Sequence, residues 1–160
     1  LEKLALYSIG QTQISAEDVE AILSNASQVT TDMLVDSVFS GDAQAADSFL
    51  EKALSEGNDP SQMIGALLRH AFLLLNAQRE LETGRSIAEI EKQSRVFYKR
   101  LAAFRRQISL WSSAALHTAI TSLGEAQLST RQNSSLADTL LSRICLSLAL
   151  AAKRNAVQNR

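Results

Sequence analysis

Cysteine occurs once in 160 residues, proline once, histidine twice and glycine six times. A single cysteine cannot close an internal disulfide, which excludes a disulfide-stapled scaffold and fits a reducing compartment. No CxxC pair is present, and the two histidines are far apart in sequence, so no metal-binding motif is legible. So few helix breakers leave room for long helices. No alternating run rich in Val, Ile and Tyr is present to suggest strands. The net charge of -1 gives no global attraction to nucleic acid or an anionic membrane, although a local basic patch stays open. No run of about 18 consecutive apolar residues occurs, so no membrane span is expected. The phosphate loop GxxxxGK[ST], GxGxxG, the GxSxG elbow and HExxH are all absent. The expectation is a chain that is not an enzyme, with no cofactor and no metal, located in the cytoplasm.

The apolar share is 46%, enough for a core of ordinary size. The fold class read from these patterns is all-α, a helical bundle. Its centre is placed at the stretch from Asp59 to Glu82. Asp59 suits the N-cap, Pro60 the first helical position, and Gln62 can reach back to the cap. Met63, Ile64, Leu67, Leu68, Ala71, Leu74, Leu75 and Leu81 recur at helical spacing. Around Ala71–Leu75 the apolar character spreads nearly all round, the pattern of a helix enclosed by others. Gly84 suits the left-handed position past its end.

The chain opens LEKLALYS, which reads as the end of a helix and as a piece of something longer. Ser15 can cap a short helix whose buried face is Val19, Ile22 and Leu23. Ser24–Thr30 is small and polar and reads as a linker, dividing the chain into 1–28 and 29–160. Thr31 or Asp32 then starts a helix with Leu34, Val35, Val38 and Phe39 inward. Gly41 ends it and Asp42 caps the next, where Ala46, Phe49, Leu50, Ala53 and Leu54 face the core. The short turn makes these two helices antiparallel neighbours. Glu56-Gly57-Asn58 breaks the pattern before the central helix.

Past Gly84, Ser86 and Glu89 form a capping box for a helix from Ile87 to about Gln93. A helix from Arg95 to Leu110 follows, with Phe97, Leu101, Phe104 and Ile108 inward. Ser112 or Ser113 caps another, carrying Leu116, Ile120 and Leu123. Thr130–Ser134 reads as a polar loop. The last helix carries Ala137, Leu140, Leu141, Ile144, Leu148 and Ala152, and fraying is expected after Lys153.

Each reactive side chain has a bland reading and a functional one. His70 lies on or near an apolar face without a His or Cys at i+3 or i+4, so a packed, hydrogen-bonded ring is preferred over a metal ligand or acid–base group. His117 reads as solvated and Cys145 as a buried inert thiol. Glu80, Glu82, Glu89 and Glu91 read as capping and solubility groups. Trp111 reads as a plug at a helix corner, with a partner contact as the alternative. Arg95, Lys99 and Arg106 at i, i+4 and i+11 form one helical stripe. It suits phosphates or an acidic partner, against a solvated flank as the plainer reading. Phe72 and Leu73 leave the main stripe of the central helix, and one of them is expected to meet a neighbouring chain.

The order of features carries a resemblance: LEKLALY, AEDVEAIL, a polar joint, VFSGD, AADSFLEKAL-SEGNDP, then LLRHAFLLLNAQRELETG. It resembles the C-terminal portion of the delta subunit of the bacterial DNA polymerase III clamp loader. The likeness spans the chain, is strongest from Leu1 to Gly84, and consists of spacing and helix texture without a catalytic fingerprint. It implies that 1–28 is the end of the AAA+-like lid domain and 29–160 the helical collar. The collar would associate side by side with the tau/gamma and delta-prime subunits in the ring that loads the sliding clamp during DNA replication. Delta in this family does not hydrolyse ATP, and its clamp contact lies in an N-terminal domain absent from this chain. The alternative is a helical nucleic-acid-binding domain using the Arg95–Arg106 stripe; a further one is a helical enzyme or ligand-binding bundle with a cryptic pocket.

Overall fold

The computed structural model describes residues 16–94 and 96–158, with side chains from position 25 onward. Among the described residues there are seven α-helices and no strand, so the chain is an all-α bundle. They are α1 (Ala16–Ser40), α2 (Ala43–Ser55), α3 (Pro60–Glu82), α4 (Ile87–Gln93), α5 (Leu101–Leu110), α6 (Ser113–Gln132) and α7 (Ala137–Gln158). Short 3-10 turns at Tyr98–Arg100 and Ser134–Leu136 lead into α5 and α7.

Local chemistry sets most of the boundaries. The Asp42 carboxylate accepts from the Ala45 N–H at 3.0 Å, and Asp59 from Ser61 N–H at 3.0 Å ahead of Pro60. Ser86 and Glu89 complete the capping box, and Ser112 Oγ accepts from Ala115 N–H. Each bond satisfies a backbone donor that the helix itself cannot. Gly41 closes α1 with φ of +77°, and a Cβ there would sit 2.9 Å from the Lys153 backbone nitrogen. Glycine therefore serves two needs at once: a left-handed turn and the close approach of α7. Gly84 follows α3 with φ of +88°.

Four boundaries differ from expectation. The Ser24–Thr30 segment is not a linker but continuous helix, so the division between 28 and 29 falls inside α1. Thr30 is buried there, its hydroxyl bonded to the Ala26 carbonyl, and Asp32 is mid-helix. Polar residues read as a joint are helical because one side of them packs. The helix expected from Arg95 starts only at Leu101. Thr130–Gln132 is the last turn of α6, and Thr130 is buried. Finally, α7 runs past Lys153 to Gln158. The expected helix end at Leu1–Ser8 and the Ser15 cap lie outside the described residues, as do the side chains of Val19, Ile22 and Leu23.

The core gathers the inner faces of α1, α2, α3, α5, α6 and α7, with Ile90 from α4. Leu34 and Val38 of α1, Leu67 and Leu74 of α3, Leu116 and Leu123 of α6, and Leu141 of α7 are fully enclosed. The hub is α3, which packs most extensively on α6 and also meets α1, α4, α5 and α7. Its pairing with α6 is antiparallel: Gly65 lies beside Gln127, and Glu82 accepts from Ser113 Oγ. The α1–α2 pair is antiparallel too, since Ser27 bonds Asn58 just past the end of α2. The hub is nevertheless not enclosed all round: Arg69, Phe72, Asn76 and Arg79 form an exposed strip along it.

Ser134–Gln158 is long and apolar enough to cross a membrane by length and composition, with mean hydropathy 1.4 over its best window. Arg143, Lys153 and Arg154 interrupt any continuous apolar run. One apolar face packs on α1, α2, α3 and α6, but only 33% of that window is buried.

Candidate functional site

The densest polar cluster sits where α1, α3 and α5 meet. His70 from α3 is buried and packs its ring 5.0 Å from that of Phe39. Its Nε2–H donates to Gln107 Oε1 at 2.7 Å. Gln107, fully enclosed on α5, donates onward through its amide nitrogen to the Asp36 carbonyl at 3.2 Å and to Ser40 Oγ at 3.3 Å. Arg100 closes the cluster with a fork onto Asp36, Nε to Oδ2 at 2.7 Å and Nη2 to Oδ1 at 2.9 Å. Its Nη1 reaches Asp32 at 2.9 Å. Asp32 and Asp36 are one helical turn apart on α1, which is why one guanidinium can hold both.

Electrostatics follow from that geometry. Burial holds His70 below its ordinary value of 6.5, so the neutral ring is the resident form. Burial pulls the Arg100 guanidinium down, but the Asp36 and Asp32 contacts outweigh it and leave it raised. The cluster borders a depression of about 330 Å³ that also touches Leu73 and Phe97. Among the described residues, no buried side-chain nitrogen or oxygen lacks a partner. Arg100 is already committed to two carboxylates and His70 to Gln107. The arrangement is a strut fastening the segment before α5 to α1 and α3, with no uncommitted acid–base pair.

The basic stripe is not assembled as the sequence implied. Arg95 lies outside the described residues. Phe97 has an extended backbone, and Lys99 lies on a 3-10 turn, so Lys99 and Arg106 do not share one regular helix. Two neighbouring cations are neutralised: Arg100 by Asp36 and Asp32, and Arg105 by a two-pronged contact with Glu91 at 2.8 Å. Phe97, expected inward, is 58% exposed and pairs with Tyr98, ring centroids 4.6 Å apart. The Lys99 ammonium stands 5.9 Å from the Tyr98 ring.

Of the three residues expected at an interface, Phe72 is 46% exposed on the outside of α3. Leu73 is partly buried against the core. Trp111 is 2% exposed, and its Nε1–H donates to the Phe39 carbonyl at 2.8 Å, so it is the corner plug and is closed to a partner. His117 is exposed and bonds the Ser113 carbonyl through Nδ1. Burial pushes the Cys145 thiol up to about 12, which suppresses the thiolate and its reactivity. Glu80 pairs with Arg85, Glu82 with Ser113, Glu89 with Ser86, and Glu91 with Arg105.

The Asp36–Arg100–Gln107–His70 cluster went unread in the sequence. The only local signal was the Asp32/Asp36 spacing; the pairing across 64 positions has no sequence mark. The described residues contain no group of three His, Cys, Asp or Glu able to hold a metal. Fold and site together define a helical packing module with a satisfied interior. No family model, curated protein or solved structure matches the chain.

Proposed function

We propose that this chain is an assembly module, the collar portion of a clamp-loader delta subunit acting in DNA replication in the cytoplasm. Its partners would be the tau/gamma and delta-prime subunits, and no reaction would occur on it. The observation that carries the assembly reading is the contrast between the interior and α3's outer strip. The core closes and, among the described residues, every buried side-chain nitrogen and oxygen has a partner, yet Phe72 stays outside on the hub helix. A large aromatic left over after core formation suits a protein neighbour. The assignment to delta rests on the resemblance of the sequence.

The test is co-purification and sedimentation of the chain with separately prepared tau/gamma and delta-prime subunits. The reading expects a stable complex, weakened at least about tenfold by Phe72→Asp, since exposed aromatics dominate interface energetics. If the intact chain joins neither subunit, the clamp-loader reading fails.

A second reading draws on one observation: Phe97 and Tyr98 project together beside Lys99. Exposed aromatics next to a cation suit stacking with single-stranded bases. Titration with primed DNA at two salt concentrations separates the readings. A steep salt slope, reduced by Lys99→Ala and Arg106→Ala and unchanged by Phe72→Asp, supports nucleic-acid binding.

A further inference from the structure

The last helix has two apolar faces, and the core takes only one. Ile144, Cys145, Leu148, Ala149 and Ala152 point inward. On the other side Thr139, Arg143, Leu146, Leu150, Lys153 and Val157 follow one another in alternating four- and three-residue steps. That rhythm is the seam of a two-helix contact. Leu146, Leu150 and Val157 on it are 53%, 44% and 72% exposed. The seam runs beside a groove of about 690 Å³ between α2 and α7. Ala43, Gln44, Ala46 and Asp47 line its α2 side with Leu50 deeper, and the two alanines leave low points where another backbone can approach.

Charge narrows the choice of occupant. Arg143, Lys153 and Arg154 lie on or beside the seam, and none makes an ion pair among the described residues. Asp47 lines the same groove as Arg143, and Glu125 a second depression that Arg143 borders, but neither reaches pairing distance. On α7 itself the sole acidic residue is Asp138, in the first turn. A second copy laid antiparallel would set Leu146 against Leu150 and, in the same register, Arg143 against Lys153. A parallel copy would set each cation against itself. Both juxtapose like charges. A bilayer fits poorly as well: α7 has no aromatic residue, and the apolar surface is a narrow seam at a groove, not a broad face.

We propose that the α2–α7 groove and the α7 seam dock an amphipathic helix of a different protein chain, one carrying apolar seam residues flanked by carboxylates. Arg143 and Lys153 are ten positions apart, so the partner's acidic groups lie roughly 15 Å apart along its axis, at 1.5 Å per residue. The inference stands apart from the clamp-loader reading, because it requires only a helix of this chemistry and uses a surface other than Phe72.

The test titrates the full chain into two labelled helical peptides followed by fluorescence anisotropy. Both carry Leu at the seam positions; one carries Glu and the other Lys at the two positions facing Arg143 and Lys153. The Glu peptide is expected to bind at least about tenfold more tightly, since specificity here includes like-charge rejection of the Lys peptide. Leu150→Asp should weaken the Glu peptide by at least about tenfold with an unchanged helical spectrum, because the position is exposed. The double variant R143E/K153E should reverse the preference, which keeps the test decisive should Leu150→Asp disturb folding. The proposal is overturned by no binding of the Glu peptide, equal binding of both peptides, a preference unchanged by the double charge reversal, or α7-dependent dimerisation of the chain in sedimentation. Binding to phosphatidylserine vesicles in place of the Glu peptide overturns it in favour of a membrane surface.

Discussion

Helices α3 and α7 are built from similar strings of leucine and alanine, and the fold uses them differently. Around α3, helices α1, α4, α5, α6 and α7 claim nearly all of its apolar surface, leaving an exposed strip in which Phe72 is the one large apolar side chain. Around α7, neighbours claim the face of Leu141, Ile144, Leu148 and Ala152, while Leu146, Leu150 and Val157 stay in water. Apolar content therefore does not separate a core helix from a docking helix. What separates them is how many sides have neighbours, together with the charges that line the uncovered side.

The sharpest way to test this contrast is to truncate one leucine on each helix. Leu74→Ala on α3 removes a fully enclosed side chain and should lower stability by ~2–5 kcal/mol in urea unfolding, through lost transfer energy and a cavity. If the loss is under about 1 kcal/mol, α3 is not the hub described, because a cavity that small in effect implies a collapsible site. A smaller effect is expected at the polar strut. Gln107→Leu leaves the His70 Nε2–H without its acceptor and should cost ~1–3 kcal/mol, the penalty of a buried unsatisfied donor.

The strut also predicts a pH dependence with a definite sign. His70 is held below 6.5 by burial, so the unfolded chain takes up this proton more readily than the folded one. Its neutral state adds no penalty well above 6.5, and stability falls as pH drops through that value. His70→Leu should flatten this part of the unfolding profile, read as midpoint denaturant concentration against pH. A profile that declines equally in wild type and variant would remove His70 as its cause.

Next in size is a helix cap. Ser112→Ala deletes the acceptor for the Ala115 N–H and should cost about 1 kcal/mol, seen as a lower thermal midpoint. At the small end, Leu150→Ser on the outer face of α7 should change stability by no more than about 0.5 kcal/mol, as surface substitutions usually do. A large loss there would mean that the outer seam already supports the fold, and the contrast between the two helices would shrink.

Much of this was legible along the chain because it is local. The caps at Asp42, Asp59, Ser86 and Ser112 follow from residue types a few positions apart, and the inward stripes of α2 and α3 from period alone. The misreadings share one cause. Ser24–Thr30 looked like a joint, yet Thr30 is helical and buried because other helices cover it. Phe97 looked inward by spacing, yet Arg100, fixed to Asp36 from another helix, anchors a 3-10 turn that leaves the ring outside. Lys99 and Arg106 looked like members of one stripe only while the helix was taken to start at Arg95.

By itself the sequence determined the all-α class, four helix starts, and an interior rich in leucine, because hydrogen-bond capping and apolar period act within a turn or two. The tertiary structure alone decided which cations are neutralised, that Trp111 is sealed while Phe72 is open, and that α7 keeps a second apolar face. Those outcomes depend on which helices lie side by side, and contacts across 64 or 72 positions leave no periodic trace in the chain that makes them.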